Sequence, residues 1–149
     1  MSTAATYEMD DLAQVNSIFA DWAPSPELTP AWFGLVQENG RLEDDPEPTG
    51  RPEAPTIFGA YRIEYDELET RYDDNAAPYR RGKLHITTYT EPGARQGLLV
   101  QLRQQLRATL DGAPEEPLAF CVDEARVRPA PVRGPWYCQN FIVPFVGGG

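Results

Sequence analysis

The sequence predicts an α+β fold, a mostly antiparallel sheet of four to five strands with two helices packed on it. Three observations lead there. Two stretches repeat apolar residues at steps of three and four, the period of a helix buried along one stripe. Several others alternate apolar and polar residues with the two-residue period of a half-buried strand. Fifteen prolines and 12 glycines in 149 residues favour turns and irregular connections over a helical bundle.

The first helix is expected over residues 6–22, where Leu12, Val15, Ile18, Phe19 and Trp22 fall on one stripe. Pro24 and Pro26 stop it, because proline lacks the amide hydrogen and pushes the preceding residue out of the helical region. "AWFGLVQ" (31–37) reads as a short strand. Residues 38–55, "ENGRLEDDPEPTGRPEAP", hold four prolines, two glycines and dense acid with almost nothing to bury, so a long exposed loop is expected. Such a loop serves as a solvated connector or as an arm that seeks a partner.

"TIFGAYRIEYDELE" places Ile57, Gly59, Tyr61, Ile63 and Tyr65 on one parity and Arg62, Glu64 and Asp66 on the other. After a polar turn region, "KLHITTYTE" sends Leu84, Ile86 and Thr88 one way and His85, Thr87 and Tyr89 the other. The connection is too short for a crossover helix, so the two strands pair antiparallel. "PGARQGLLVQLRQQLRATLDG" is the strongest helix: Leu98, Leu102, Leu106 and Leu110 step by four with Leu99 beside them, and Gly112 ends it. Its stripe should lie on the sheet. Two last strands are expected near 118–128 and 135–146, separated by the proline-rich "RPAPVRGP".

At this length one domain, 1–149, holds a sizeable core without disulfide staples, with a flexible tail at 147–149. Thirteen Lys and Arg against 23 Asp and Glu give a formal charge of −10, which repels nucleic-acid backbone and excludes general DNA or RNA binding. The opening "MSTAATYEMDD" carries no basic region followed by an apolar block, so no signal peptide is expected, nor is any apolar run of membrane-spanning length present. A cytosolic protein with Cys121 and Cys138 as reduced thiols is the expectation.

Chemical motifs are sparse. His85 is the sole histidine and sits mid-strand, where a partly exposed position is expected and no nucleophile has a recognisable spacing to it. Neither a phosphate-binding loop nor a dinucleotide fingerprint occurs, and neither cysteine has a close Cys or His neighbour. Glu64, Asp66, Glu67, Glu69, Asp73 and Asp74 supply oxygens but lack the glycine and closing glutamate of a calcium loop, so a solvated charged hairpin is expected. The reading is of a protein with no catalytic residues, no cofactor and no metal.

What remains is the last strand. In "RGPWYCQNFIVPF", Trp136, Cys138, Asn140, Ile142 and Pro144 share one parity, and Tyr137, Phe141, Val143 and Phe145 share the other. The leucine helix covers one row. The second needs cover from the N-terminal helix, from the long loop, or from another subunit, and a head-to-tail contact that closes makes a ring.

Two stretches resemble the tail terminator proteins of long-tailed, siphovirus-type bacteriophages. One is "RRGKLHITTYTEPGARQGLLVQLRQQL", a glycine-led strand running through a small-residue turn into an amphipathic helix. The other is the closing "WYCQNFIVPF", with a strand such as "LAFCVDEARVRP" between them. The resemblance covers residues 80–146, and the N-terminal helix by position only. It implies a small subunit that assembles into a homohexameric ring in the virion, at the head-proximal end of the tail, after assembly in the host cytoplasm. That ring caps the tail tube protein and joins it to the head-side connector or head-closure protein, while DNA passes through the lumen without specific binding. It implies no catalysis, no cofactor and no membrane. The loop at 38–55 is longer, and the hairpin connector more charged, than that family's pattern. Candidate subunit or tube contacts are Arg80, Arg81, Lys83 and Arg95, which bracket the strand and helix start, together with Trp136, Tyr137 and Phe141. Alternatives are another neck or tail ring protein (head closure or tube subunit) and, from a different class, an acidic DNA-mimic inhibitor.

Overall fold

The computed structural model describes residues 7–19, 22, 32–37, 57–68, 78–90, 96–129 and 137–148. In chain order they form α1 (Tyr7–Phe19), β1 (Trp32–Gln37), β2 (Ile57–Leu68), β3 (Arg80–Thr90) and α2 (Gln96–Asp111). Then come β4 (Leu118–Phe120), a 3-10 turn (Val122–Glu124), β5 (Arg126–Pro129) and β6 (Tyr137–Gly147). The α+β class read from the sequence is the class observed. One sheet runs in the order β1-β2-β3-β6-β4, with β5 also paired to β6. The β1–β2 pair is parallel and the others are antiparallel. Parallel neighbours need a long crossover, and the connection here is the stretch containing the acidic loop at 38–55, which lies outside the described residues.

The stretch read as one strand over 118–128 is two. From Phe120 to Arg126 the chain advances six residues while its partner moves three, from Phe145 to Ile142. The surplus folds into the 3-10 turn, held by Cys121 N–H to the Pro144 carbonyl at 2.8 Å and Ala125 N–H to the Val122 carbonyl at 3.2 Å. The turn delivers Val122 to the core. β4 and β5 therefore form one interrupted edge along β6.

Directly opposed residues of antiparallel strands point to the same face. Tyr61, Ile86 and Phe141 make one row across β2, β3 and β6, and Ile63, Leu84 and Val143 make the next. Val15 and Phe19 of α1 and Leu99, Leu102, Leu106 and Leu110 of α2 join this cluster. Both helices therefore cover the same face, so of the three covers open for the opposite row the N-terminal helix is not one. In α1 the buried positions are Asp11, Val15 and Phe19, one helical turn apart. Trp22, the expected end of the helix, lies outside α1, and its N–H bonds to the Phe19 carbonyl. The Trp22 indole donates to Thr109 Oγ1 at 2.8 Å, fastening this end of α1 to the end of α2.

Two glycines are required by close approach. A Cβ on Gly82 would lie 2.1 Å from the Glu64 carbonyl oxygen and 2.7 Å from the Phe145 ring. On Gly147 it would meet Leu118 Cδ2 at 2.7 Å and the Arg80 guanidinium carbon at 3.0 Å. Gly147 thus belongs to β6 and is buried, whereas the tail was expected to be flexible from this residue onward.

Leu102 is fully buried at the centre of the α2 stripe. Leu102→Ala should lower unfolding free energy by about 2–5 kcal/mol, read from the denaturant midpoint at unchanged slope. A loss within about 0.5 kcal/mol, the range of surface substitutions, would contradict this packing.

Candidate subunit interface

The residues expected to meet a neighbour separate into two groups. Arg80 and Phe141 lie inside the subunit: Arg80 is 0% exposed and Phe141 belongs to the core cluster. Arg81 is exposed, and Lys83 reaches Asp66 at 3.4 Å across a half-exposed pair. Tyr137 is 50% exposed. Arg95 and Trp136 lie outside the described residues.

Arg80 is buried because Asp11 and its surroundings use all three guanidinium nitrogens. Nε donates to Asp11 Oδ2 at 2.6 Å, Nη2 to Asp11 Oδ1 at 2.5 Å, and Nη1 to the Pro78 carbonyl at 2.9 Å. Asp11 Oδ2 also accepts from the Tyr65 hydroxyl at 2.8 Å. The Tyr7 ring lies 5.2 Å from the guanidinium carbon, and Tyr65 stands edge-on to both Tyr7 and Phe145. Burial, followed by the Asp11 carboxylate, pushes the Tyr65 hydroxyl far above its ordinary value, so it remains a donor. This bidentate, aromatic-walled pair joins α1 to the sheet across 69 positions of sequence. It is structural, and Arg80 is removed as a subunit contact.

The sheet face turned away from the helices is more closed than its sequence suggests. His85, expected to be partly exposed, is 8% exposed, and Thr87, Tyr89, Cys138 and Ile142 are buried beside it. His85 Nε2 lies 2.5 Å from Glu64 Oε2, and the Thr87 hydroxyl donates to Asn140 Oδ1 at 2.6 Å. Burial holds the His85 imidazole below its ordinary pKa, against the pull of Glu64. The neutral ring then donates Nε2–H to the carboxylate, and buried Nδ1 has no hydrogen-bond partner among the described residues. The hydrogen bond from His85 in turn lowers the Glu64 pKa.

At one end of this face a groove of about 340 Å³ is lined by Asp66, Glu67, Arg81, Lys83, Cys121 and Glu124, among others. Burial and then the Glu124 charge raise the Cys121 pKa, so its thiol is held protonated rather than as a nucleophilic thiolate. Both cysteines are thiols rather than a disulfide. Among the described residues no group of three or more His, Cys, Asp or Glu could hold a metal ion, and no helix is long and apolar enough to cross a membrane.

Two cations that sequence reasoning passed over emerge at the sheet edge. β5 is exposed along its whole length. Arg126 and Arg128 oppose Ile142 and Asn140, so they share the face away from the helices; Val127 opposes Phe141 and lies on the helix side with Tyr137. Arg103 Nη1 donates to Gln139 Oε1 at 2.8 Å, extending the polar rim beside Tyr137. The signal was the alternation "RVRP" within a stretch already read as a strand. No protein-family model matches the chain, and no curated protein matches it.

Removing one member of a buried pair strands the other's charge, so Asp11→Leu should destabilise by about 3–5 kcal/mol. Adding Arg80→Met should restore most of that loss, because an apolar pair of similar volume escapes desolvation. Denaturant melts of the two variants check both statements.

Acid should also weaken the fold. A histidine whose folded pKa lies below its unfolded value of about 6.5 binds more protons when unfolded. Its stabilising contribution is complete above that value and is lost as pH falls from there to the folded pKa. Glu64, also depressed, gives up its contribution at lower pH, as its carboxylate is protonated. Thermal midpoints should therefore drop from pH 7 to pH 5, and His85→Gln should flatten the first part of that decline.

Proposed function

We propose that the protein is a structural subunit of a long-tailed bacteriophage, a tail terminator that assembles into a homohexameric ring at the head-proximal end of the tail. In this role it caps the tail tube and carries the joint to the head-side connector. It has no catalytic step and no cofactor.

The observation that carries this reading is the convergence of the two stretches that resemble the family. They lie in different parts of the chain, yet β3 and β6 pair along their full lengths, from Arg80 opposite Gly147 to Thr90 opposite Tyr137. The helix that follows β3 supplies Leu99, Leu102 and Leu106 to the core beneath both strands. Likeness confined to unrelated surface segments would have no reason to meet in one packed unit. The unit is also mechanically suited to a joint, since main-chain hydrogen bonds run through β2, β3 and β6 and a close-packed interior resists compression.

Charge supports the same reading. With a formal charge of −10 the subunit suits a passage that DNA crosses, because acidic walls disfavour tight phosphate contacts.

Negative-stain images of the purified protein with isolated tail tubes test the proposal. Rings alone, and a cap at one end of each tube, are expected. Rings that ignore tubes would point to another neck protein. A monomer that neither forms rings nor touches tubes, but displaces DNA from a nuclease, would replace the reading with a DNA mimic.

A further inference from the structure

We propose that the β5 edge is one half of a head-to-tail contact whose other half is the acidic α2–β4 turn of a second copy of this chain. The inference deepens the ring reading above by naming the two surfaces that meet.

The β5 edge has the composition of a contact surface. Arg126, Val127, Arg128 and Pro129 are all exposed, Val127 by 43%, and Tyr137 nearby by 50%. Arginine and tyrosine are enriched at the centres of protein interfaces. Among the described residues no strand pairs with the outer side of β5, and neither Arg126 nor Arg128 enters an ion pair. Two arginines and a proline also guard that edge against strand addition. Contact there is made by side chains, and its chemistry is cationic with an apolar margin.

The complement lies on the same chain. Asp111, Glu115 and Glu116 are exposed where α2 turns into β4, and none enters an ion pair among the described residues. Gln14 of α1 holds this turn: its Nε2 donates to the Pro114 carbonyl at 3.0 Å and to the Leu118 carbonyl at 2.9 Å, and its Oε1 accepts from Leu118 N–H at 2.8 Å. Three bonds from one glutamine fix the turn, so little ordering cost is left for docking.

The two patches occupy different places. β5 lies against residues 139–142 of β6, while the turn enters β4 at Leu118, opposite Gly147. At about 3.3 Å per residue they are offset by roughly 15–25 Å along β6. A patch that meets a different patch makes a heterologous contact, which propagates head to tail and closes if the rotation allows. In a chain with a formal charge of −10, copies repel one another in general. Cations left unpaired at one edge then select which acidic surface of the neighbour can approach.

The test uses two charge variants of the full chain. The edge variant carries Arg126→Glu and Arg128→Glu; the turn variant carries Asp111→Lys, Glu115→Lys and Glu116→Lys. All five positions are exposed, and far-UV circular dichroism with thermal melting verifies that each variant folds as the wild type does. In sedimentation velocity each variant alone should self-associate about 10–100-fold more weakly than the wild type. Mixed in equal amounts, the two should assemble again, because each acidic edge now meets a basic turn and each basic edge an acidic turn. An edge variant that assembles as the wild type does overturns the edge as a contact. A turn variant that assembles normally overturns the turn as its partner. Two weakened variants that stay apart when mixed overturn the pairing of these surfaces. A wild type that remains monomeric at about 1 mM, the weak end of specific association, overturns the contact. The tail-terminator reading is judged separately, by binding to tail tubes.

Discussion

β3 is withdrawn from water on both faces from Leu84 to Thr90, and the rest of the structure answers the demands this makes. One face is met by hydrocarbon: Leu84 and Ile86 lie beneath the leucines of α2 and the Val15–Phe19 side of α1. The other face is polar by sequence, and burying hydroxyl and imidazole groups without partners costs free energy. Strands on either side supply those partners. Asn140 accepts from Thr87, and Glu64 takes the His85 proton donor. On the helix side, the backbone carbonyls of Gln139 and Tyr137 accept from Thr88 and Thr90. A central strand so rich in threonine stays buried because both neighbours are in register along its length, and a one-residue slip would strand every one of these groups.

The end of the same strand is fixed by charge. Arg80 begins β3 opposite Gly147, and the absence of a side chain there leaves room for the guanidinium. Gly82, two residues on, lies under the Phe145 ring that faces Tyr65, the tyrosine hydrogen-bonded to Asp11. The two glycines, the aromatic walls and the ion pair form one arrangement, in which each part requires the others. Such a buried pair is weak as a source of net stability but strict about geometry. Here it ties α1 to the sheet at a defined height, while the Trp22–Thr109 bond fastens the other end of that helix.

What the sequence disclosed, and what it concealed, follows from the same physics. Strand parity in β2, β3 and β6 was legible, because a period of two sorts side chains whichever face is wet. The leucine stripe was legible for the same kind of reason. Burial of the polar face of β3 was not, since alternation treats Thr87 and His85 as solvent-facing and only their partners 53 and 21 positions away explain their place. The role of Arg80 was hidden likewise: its neighbours Arg81, exposed, and Lys83, half-exposed, made a surface patch the natural reading. A clue lay in Asp11, a carboxylate one turn before Val15 and two before Phe19 on the buried stripe of α1. A charge in such a place needs an opposite charge inside. The interruption between β4 and β5 left no mark, because "FCVDEARV" contains neither glycine nor proline and the surplus residues show only against the register of β6.

An acidic chain that joins copies of itself must reconcile long-range repulsion with local attraction. At physiological ionic strength the Debye length is about 8 Å, so exposed acids far from a contact are largely screened. Groups that touch are screened much less, and their signs decide which approach succeeds. A subunit can therefore keep the negative charge that disfavours phosphate contacts while concentrating unpaired cations where a neighbour must sit. The arginines of β5 are on the only described edge where two stand side by side on one face, next to exposed Val127 and Tyr137. Screening removes the objection that net charge forbids assembly, and the placement of a few side chains then determines its direction.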